Sequence, residues 1–223
     1  MNTHLFLFGG SPPFTNKMAK LFIEKLKDKT GPLSILFVDR EGWEGYMPKY
    51  TSAMEEYSIN NFYLLPLPTT PVEQVIQAIQ MSSGIIIGGG DTNLYADYLV
   101  DTPISNIIKD CFLSGVPVAG FSAGALISSN HCVISPKDNP QKEFQHRKGL
   151  GLITDHLLAV HFTEWNDENH LRNAVNYIHA SSNYGIDEKT GAYFLNGHLA
   201  ATEGKGVYSI ENNVLVKISK NSF

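Results

Sequence analysis

Cysteine is scarce. The chain has two in 223 residues, and neither Cys111 nor Cys132 stands in a CxxC or zinc-ligand spacing. That leaves no thiolate metal centre, and Cys111, at helical spacing from Ile107, Ile108 and Phe112, is expected to be a small buried hydrophobe. Positive charge is short as well: 17 Lys and Arg against 22 Asp and Glu give a net charge of -5. A nucleic-acid binder needs a basic footprint, so that class is excluded. Long apolar runs are missing too, and no stretch approaches the ~20 residues of a membrane span. The opening MNTHLFLFGG has no basic n-region, and its apolar run is too short for a secretory signal. These absences predict a cytoplasmic protein with no membrane or nucleic-acid partner, acting on a small molecule or peptide. Oligomeric state is not legible in them. What is present, 43% hydrophobic and 17% charged residues, is ordinary for a soluble globular enzyme.

The apolar pattern alternates between two periods. Residues 5–8 form a short apolar run ending at Gly9-Gly10, residues 33–38 (LSILFV) a second and residues 62–65 a third. Residues 84–87 form a β-branched run ending in three glycines, and residues 116–120 another strand. Between them, residues 14–26, 47–57, 72–79, 91–99 and 104–113 carry apolar side chains at helical spacing. Continuous apolar strands alternating with helices predict a doubly wound, mostly parallel sheet covered on both faces. Ligands bind such sheets at the carboxyl ends of the strands. Residues 131–148 are polar with two prolines and read as a loop or flap, and residues 165–180 as a helix. After Asn183 come short strands with Asn196-Gly197 and Asn212-Asn213 between them, which predicts antiparallel hairpins. No repeat, low-complexity tract or linker divides the chain, so a single domain over residues 1–223 is expected.

Chemistry concentrates in VPVAGFSAGALISS, residues 116–129. Ser122 follows a buried strand, precedes a helical stretch and has glycine two residues away on each side. That is the setting of a nucleophile elbow, where a sharp strand-to-helix turn crowds out side chains and leaves the serine hydroxyl exposed. The Ala123 amide then lies at a helix amino terminus, aimed at charge developing beside Ser122. A tight βα turn with a capping serine is the plainer alternative. A serine needs a base, and His161 follows the apolar run 157–160, placing it at a strand end on the edge that carries Ser122. His198, in a hairpin, is its competitor. The orienting acid is Asp187 or Glu188, at the end of another strand. In IIIGGGDTN, glycines let backbone amides approach a substrate closely, so Gly89 and Gly90 are candidate oxyanion donors and Asp91 and Asn93 candidate substrate contacts. Asp91 or Thr92 is also expected to cap the next helix. Gly-x-Gly-x-x-Gly fails at Asn93 and no P-loop lysine follows, which argues against a phosphate site.

GGGDTN at residues 88–93, GFSAG at 120–124, HF at 161–162 and GIDEKTG at 185–191 appear together and in this order. In this the chain resembles the serine peptidase family that contains aspartyl dipeptidase (dipeptidase E) and cyanophycinase. The resemblance implies a class I glutamine amidotransferase-like, three-layer α/β sandwich. It also implies amide hydrolysis through an acyl-enzyme, with Ser122 as nucleophile, His161 as base and Glu188 as acid, and with no cofactor and no metal. One segment departs from the aspartyl branch. After His161-Phe162-Thr163 that branch carries a basic residue for the substrate carboxylate, whereas here EWNDENH, residues 164–170, is acidic. An acidic lining would repel a carboxylate and favour an amine or basic side chain. Acids are also favoured at a helix start, and that explanation covers His161, Glu164, Asp167 and His170 as well as a metal site would. Two other functions fit parts of the pattern: an esterase using Ser122, Asp167 and His198, or a pocket that binds a small molecule without turnover.

Overall fold

A computed structural model describes residues 1–220. In chain order it contains β1 (His4–Phe8), α1 (Asn16–Glu24), β2 (Leu33–Val38), α2 (Pro48–Glu55), β3 (Phe62–Leu67), α3 (Val72–Met81) and β4 (Gly84–Ile87). The helix α4 (Thr92–Tyr95) runs directly into a π-turn over Ala96–Val100, followed by α5 (Ile104–Leu113), β5 (Val118–Phe121) and α6 (Ala123–Leu126). Then come β6 (His131–Ile134), β7 (Gln145–Lys148), β8 (His156–Val160), α7 (Glu168–Ile178) and β9 (Ser182–Ile186). The chain closes with β10 (Gly191–Leu195), β11 (His198–Glu203), β12 (Val207–Glu211) and β13 (Val214–Ile218).

Seven strands form the main sheet in the order β11-β10-β1-β5-β4-β2-β3, and β1, β5, β4, β2 and β3 are parallel. The strand β10 runs antiparallel to β1, and β11 to β10. Alternation along the strands divides the interior into two layers. Leu5, Leu7, Leu36, Ile85, Ile87 and Val118 pack on the side covered by α3 and α5. Phe6, Phe8, Ile35, Phe37, Ile86 and Phe121 pack on the side of α1 and α2. Both faces being buried explains why these strands are unbroken apolar runs. The structure is mixed α/β, with a mostly parallel central sheet and extra antiparallel strands.

Two expectations need correction. Residues 157–160 were placed in the sheet that carries Ser122; instead β8 pairs in parallel with β9 in a separate four-stranded sheet, order β13-β12-β9-β8. An apolar run reports burial on both faces and not which sheet supplies the neighbours. In this case α7 and Phe162 cover β8, the ring of Phe162 lying where a Cβ at Gly185 would sit. Residues 131–148 are likewise no simple loop. β6 and β7 pair as an antiparallel ribbon whose Cys132, Val133 and Ile134 are buried. Arg147 pins the ribbon to the π-turn through Asp97 and Asp101, both at 2.6 Å. The hairpin expectation for the tail holds, with Asn196-Gly197 joining β10 to β11 and Asn212-Asn213 joining β12 to β13.

Candidate active site

The carboxyl ends of the two sheets face each other. Ser122 leaves β5 with φ 48° and ψ -106°, a left-handed backbone that L residues avoid and that needs surrounding structure to hold it. Close packing supplies the hold. A Cβ on Gly120 would come within 2.4 Å of the Gly124 carbonyl oxygen, and one on Gly124 within 2.5 Å of that of Ile87. Both glycines of the motif are thus required by backbone pressed on backbone. The Ser122 amide donates to the Phe8 carbonyl at 2.9 Å, and Ser122 is 7% exposed.

His161 leaves β8 in the same unusual region, at φ 47°, and its amide donates to the Gly9 carbonyl at 2.7 Å. That bond ties the second sheet to the end of β1 and brings the imidazole to the serine. Ser122 Oγ lies 2.9 Å from His161 Nε2, and His161 Nδ1 lies 2.8 Å from Glu188 Oε1. The Trp165 ring stacks on the imidazole, centroids 4.3 Å apart and planes 18° off parallel. Asp187 and Glu188 point to different partners. Asp187 is 2% exposed and accepts the Thr163 amide at 3.0 Å, so its carboxylate turns inward while that of Glu188 turns to the imidazole.

The glycine loop after β4 lies beside Ser122, a Cβ on Gly89 falling 3.3 Å from the Ser122 Cβ. Among the described residues the Ala123 and Gly90 amides make no hydrogen bond, and Gly90 has φ 156°. The Gly89 amide, expected as a donor to substrate, instead donates to the Tyr50 hydroxyl at 3.1 Å. Burial holds the Tyr50 and Tyr95 hydroxyls protonated, far above the usual phenol range. Both phenols are pressed against Gly88 and anchor the loop from beneath. Asp91 caps α4 through the Asn93 and Leu94 amides. Asn93 is bound by Gln145 and Arg147 of the ribbon and is committed to structure rather than presented to a ligand.

The alternative pair Asp167 and His198 does not assemble. His198 pairs with Leu195, which lies opposite His4, at the amino end of β1 and so across the sheet from Ser122. Asp167 is buried against the Ser135 hydroxyl at 3.0 Å. The acidic segment is dispersed as well. Glu164 binds Lys205 and the Glu188 amide, Glu168 pairs with Arg172 across one helical turn, and His170 is buried beside Phe144. Among the described residues no group of three or more potential ligands converges on a metal position, and no helix is long and apolar enough to cross a membrane.

Sequence reasoning missed Gly9, Gly10, Tyr50, Trp165 and Asp138. For Gly9 the signal was present, since a double glycine ended the first strand and was read only as a stop. A Cβ on Gly9 would lie 2.1 Å from the Ile186 carbonyl oxygen. Asp138, between β6 and β7, accepts the Thr92 hydroxyl at 2.7 Å. Burial pushes its carboxyl up to about 6 against the opposing pull of Thr92 and of His161.

An elbow serine bonded to an imidazole that is bonded to a carboxylate, on a mixed α/β sheet, is the arrangement of serine hydrolases, peptidases among them. Sequence comparison gives the same class: residues 5–223 match peptidase family S51, and the chain belongs to that family. Among curated proteins it is similar to the cyanophycinases of Trichormus variabilis and Nostoc sp., each 31% identical over 141 residues, covering 61% of this chain and 47% of the relative. The match thus spans about half the length of those proteins. Among solved structures it is similar to a peptidase from an acI-B1 actinobacterium, with TM-score 0.75 and 20% identity over 100% of this chain and 98% of that one. A putative peptidase E protein from Listeria monocytogenes EGD-e superposes with TM-score 0.66 and 19% identity, covering 98% and 100% of the two chains. These two likenesses concern the fold.

Proposed function

We propose that this S51 peptidase hydrolyses dipeptides or other small peptides through an acyl-enzyme on Ser122. The observation that carries the reading is the unbroken chain of contacts from Ser122 Oγ to His161 to Glu188, at 2.9 and 2.8 Å, beside the Ala123 and Gly90 amides, which have no partner among the described residues. His161 Nε2 takes the proton as Ser122 Oγ attacks the carbonyl carbon, and Glu188 stabilises the imidazolium that forms. The Ala123 and Gly90 amides receive the oxyanion. The imidazolium returns the proton to the departing amine, after which a water, deprotonated by the same imidazole, releases the acid and frees the serine.

Strand order sets the two sides of the scissile bond. The base reaches Ser122 from the β1 side, where it is bonded to Gly9. The opposite side, toward β4 and β2, opens into a cavity of about 110 Å3 lined by Arg40, Trp43, Tyr46, Tyr50, Gly90 and Asp91. The leaving amine must meet the imidazole, so the acyl residue extends toward this cavity. Arg40 lies over the Tyr46 ring at 4.6 Å and forms no ion pair among the described residues. A guanidinium there favours an acyl residue that carries a carboxylate or another acceptor. The acidic segment does not line this cavity: Glu164 pairs with Lys205, Asp167 accepts from Ser135 and Glu168 pairs with Arg172.

A dipeptide panel with acidic, neutral and basic first residues tests both parts. Turnover that vanishes in Ser122→Ala and falls ~10-fold in Arg40→Met for acidic first residues alone is the expected result. Full activity in Ser122→Ala removes Ser122 as the nucleophile, and wild-type protein that never reacts with a fluorophosphonate at Ser122 leaves a binding protein.

A further inference from the structure

The turns that carry the base and the acid hold each other by an exchange that the mechanism above does not use. From one side, the Thr163 amide donates to Asp187 Oδ1 at 3.0 Å; from the other, the Glu188 amide donates to Glu164 Oε2 at 3.0 Å. Each turn thus supplies one carboxylate to a backbone amide of the other, and the Phe162 amide adds a bond to the Ile186 carbonyl at 3.2 Å. The second oxygen of Glu164 meets Lys205 Nζ at 2.9 Å. Lys205 enters from the connection between β11 and β12, whose own amides at Lys205 and Gly206 bind the Thr190 hydroxyl.

The two carboxylates do different work. Asp187 is buried and belongs to the packing of β9 and β12. Glu164 is reachable by solvent, and its ion pair is exposed on the lysine side, 56% against 21%. An exposed pair of this kind contributes little to stability. What it can fix is direction. The Glu188 side chain is 40% exposed and has three rotatable bonds. It reaches the imidazole reliably only if its backbone is fixed, and its amide has Glu164 as acceptor. Burial works against the Glu164 charge, but the Glu188 amide and Lys205 outweigh it and hold the carboxyl below the usual range.

We infer that Glu164 is a positioning residue that aims the triad acid through the Glu188 amide, and that Lys205 offsets the charge this places near the imidazole. The inference rests on the serine peptidase reading. The other charged groups around the imidazole are Glu188 itself, Asp138 from the ribbon side, and Asp187 beneath the turn, next to Tyr208. Lys137, held by the Trp165 carbonyl and lying 3.9 Å from Asp167, stands behind the stacking ring.

The test is the rate at which a fluorophosphonate labels Ser122 from pH 5 to 9, followed by intact mass and with melting temperatures in parallel. This readout needs no knowledge of the substrate. Glu164→Ala should label ~10–100-fold more slowly at its optimum, as loss of orientation does. Glu164→Gln keeps an acceptor for the Glu188 amide and should recover to within ~3-fold of wild type. The midpoints should move in opposite directions. Removing the cation in Lys205→Met favours the imidazolium and shifts the midpoint to higher pH; removing the anion in Glu164→Gln shifts it lower. Wild-type rate and midpoint in Glu164→Ala would overturn the inference, as would Glu164→Gln labelling as slowly as Glu164→Ala. If Glu164→Ala does not fold, the other two variants decide, and unmoved midpoints in both overturn it. Absence of labelling in the wild type is a different failure. It removes the serine peptidase reading and this inference with it.

Discussion

Ser122 and the two side chains bonded in series to it, His161 and Glu188, are held by different kinds of structure. Ser122 stands on a bend gripped by backbone alone: Gly120, Gly124 and the Ile87 carbonyl meet at distances that exclude any side chain. His161 and Glu188 stand on turns joined by side-chain carboxylates, one of them open to water. The first arrangement cannot adjust without breaking the sheet, whereas the second can be tuned by a single substitution. A strained backbone persists only where packing over-determines it, and at His161, φ 47°, the bond to Gly9 and the Trp165 ring supply part of that hold. The comparison sets a serine held by backbone contacts against an imidazole and a carboxylate held partly by side chains.

Four experiments would break or sharpen that contrast. The largest effect belongs to the reacting atom itself: Ser122→Ala should lower kcat by ~10⁴-fold or more while leaving the melting temperature near wild type. A steady-state assay beside a thermal melt checks both. Next comes the grip behind it. Gly124→Ala drives a Cβ to 2.5 Å from the Ile87 oxygen, and overpacking of this kind costs about 1–3 kcal/mol or more. A drop in melting temperature of several degrees is expected, and an unchanged melt would mean that the bend relaxes freely.

The third concerns the half-buried carboxyl that accepts the Thr92 hydroxyl. Asp138 has its carboxyl raised from 3.8 to about 6 by burial. The folded chain therefore holds this proton more tightly than the unfolded chain does. Ionisation lowers stability progressively between about pH 4 and 6, and the full penalty remains above that. Asp138→Asn keeps an acceptor for Thr92 and removes the penalty. It should gain up to about 3 kcal/mol at pH 7 and nothing at pH 3.5, read by denaturant unfolding at the two pH values. The smallest effect is on the adjustable arm. In Gly10→Ala the new Cβ meets the Glu188 Cγ at 3.0 Å, an atom of a flexible side chain. A ~10-fold loss of kcat with a near-normal melt is expected. A large loss of stability there would erase the distinction between the two arms.

How much of this was legible in the sequence follows the same division. The elbow was readable because its demands are local: glycine on both sides of Ser122, a strand before it, a helix after it. The glycine loop at Gly88–Gly90 and the helix cap at Asp91 were readable for the same reason, each being a backbone requirement written within a few residues. The partners were harder. The end of an apolar run marks a strand end, which singled out His161 and left Asp187 or Glu188 open, but nothing local says that β8 joins β9 in a sheet of its own. The roles of Glu164, Tyr50 and Trp165 depend on groups 24, 39 and 4 residues away, and only the last falls within the reach of periodicity. The acidic letters of residues 164–170 suggested a lining for substrate. In three dimensions they are spent on Lys205, Ser135 and Arg172. The ribbon of β6 and β7 was missed because its buried run, Cys132 to Ile134, is only three residues long.

One bond deserves to be followed into the life of the chain, the one from the His161 amide to the Gly9 carbonyl. It joins an early residue to a late one across the seam between the sheets. During synthesis the serine emerges well before the imidazole and the carboxylate, and the bend can form while no proton acceptor is near it. The contacts from Ser122 to His161 to Glu188 therefore exist only once the later sheet has docked against the end of β1.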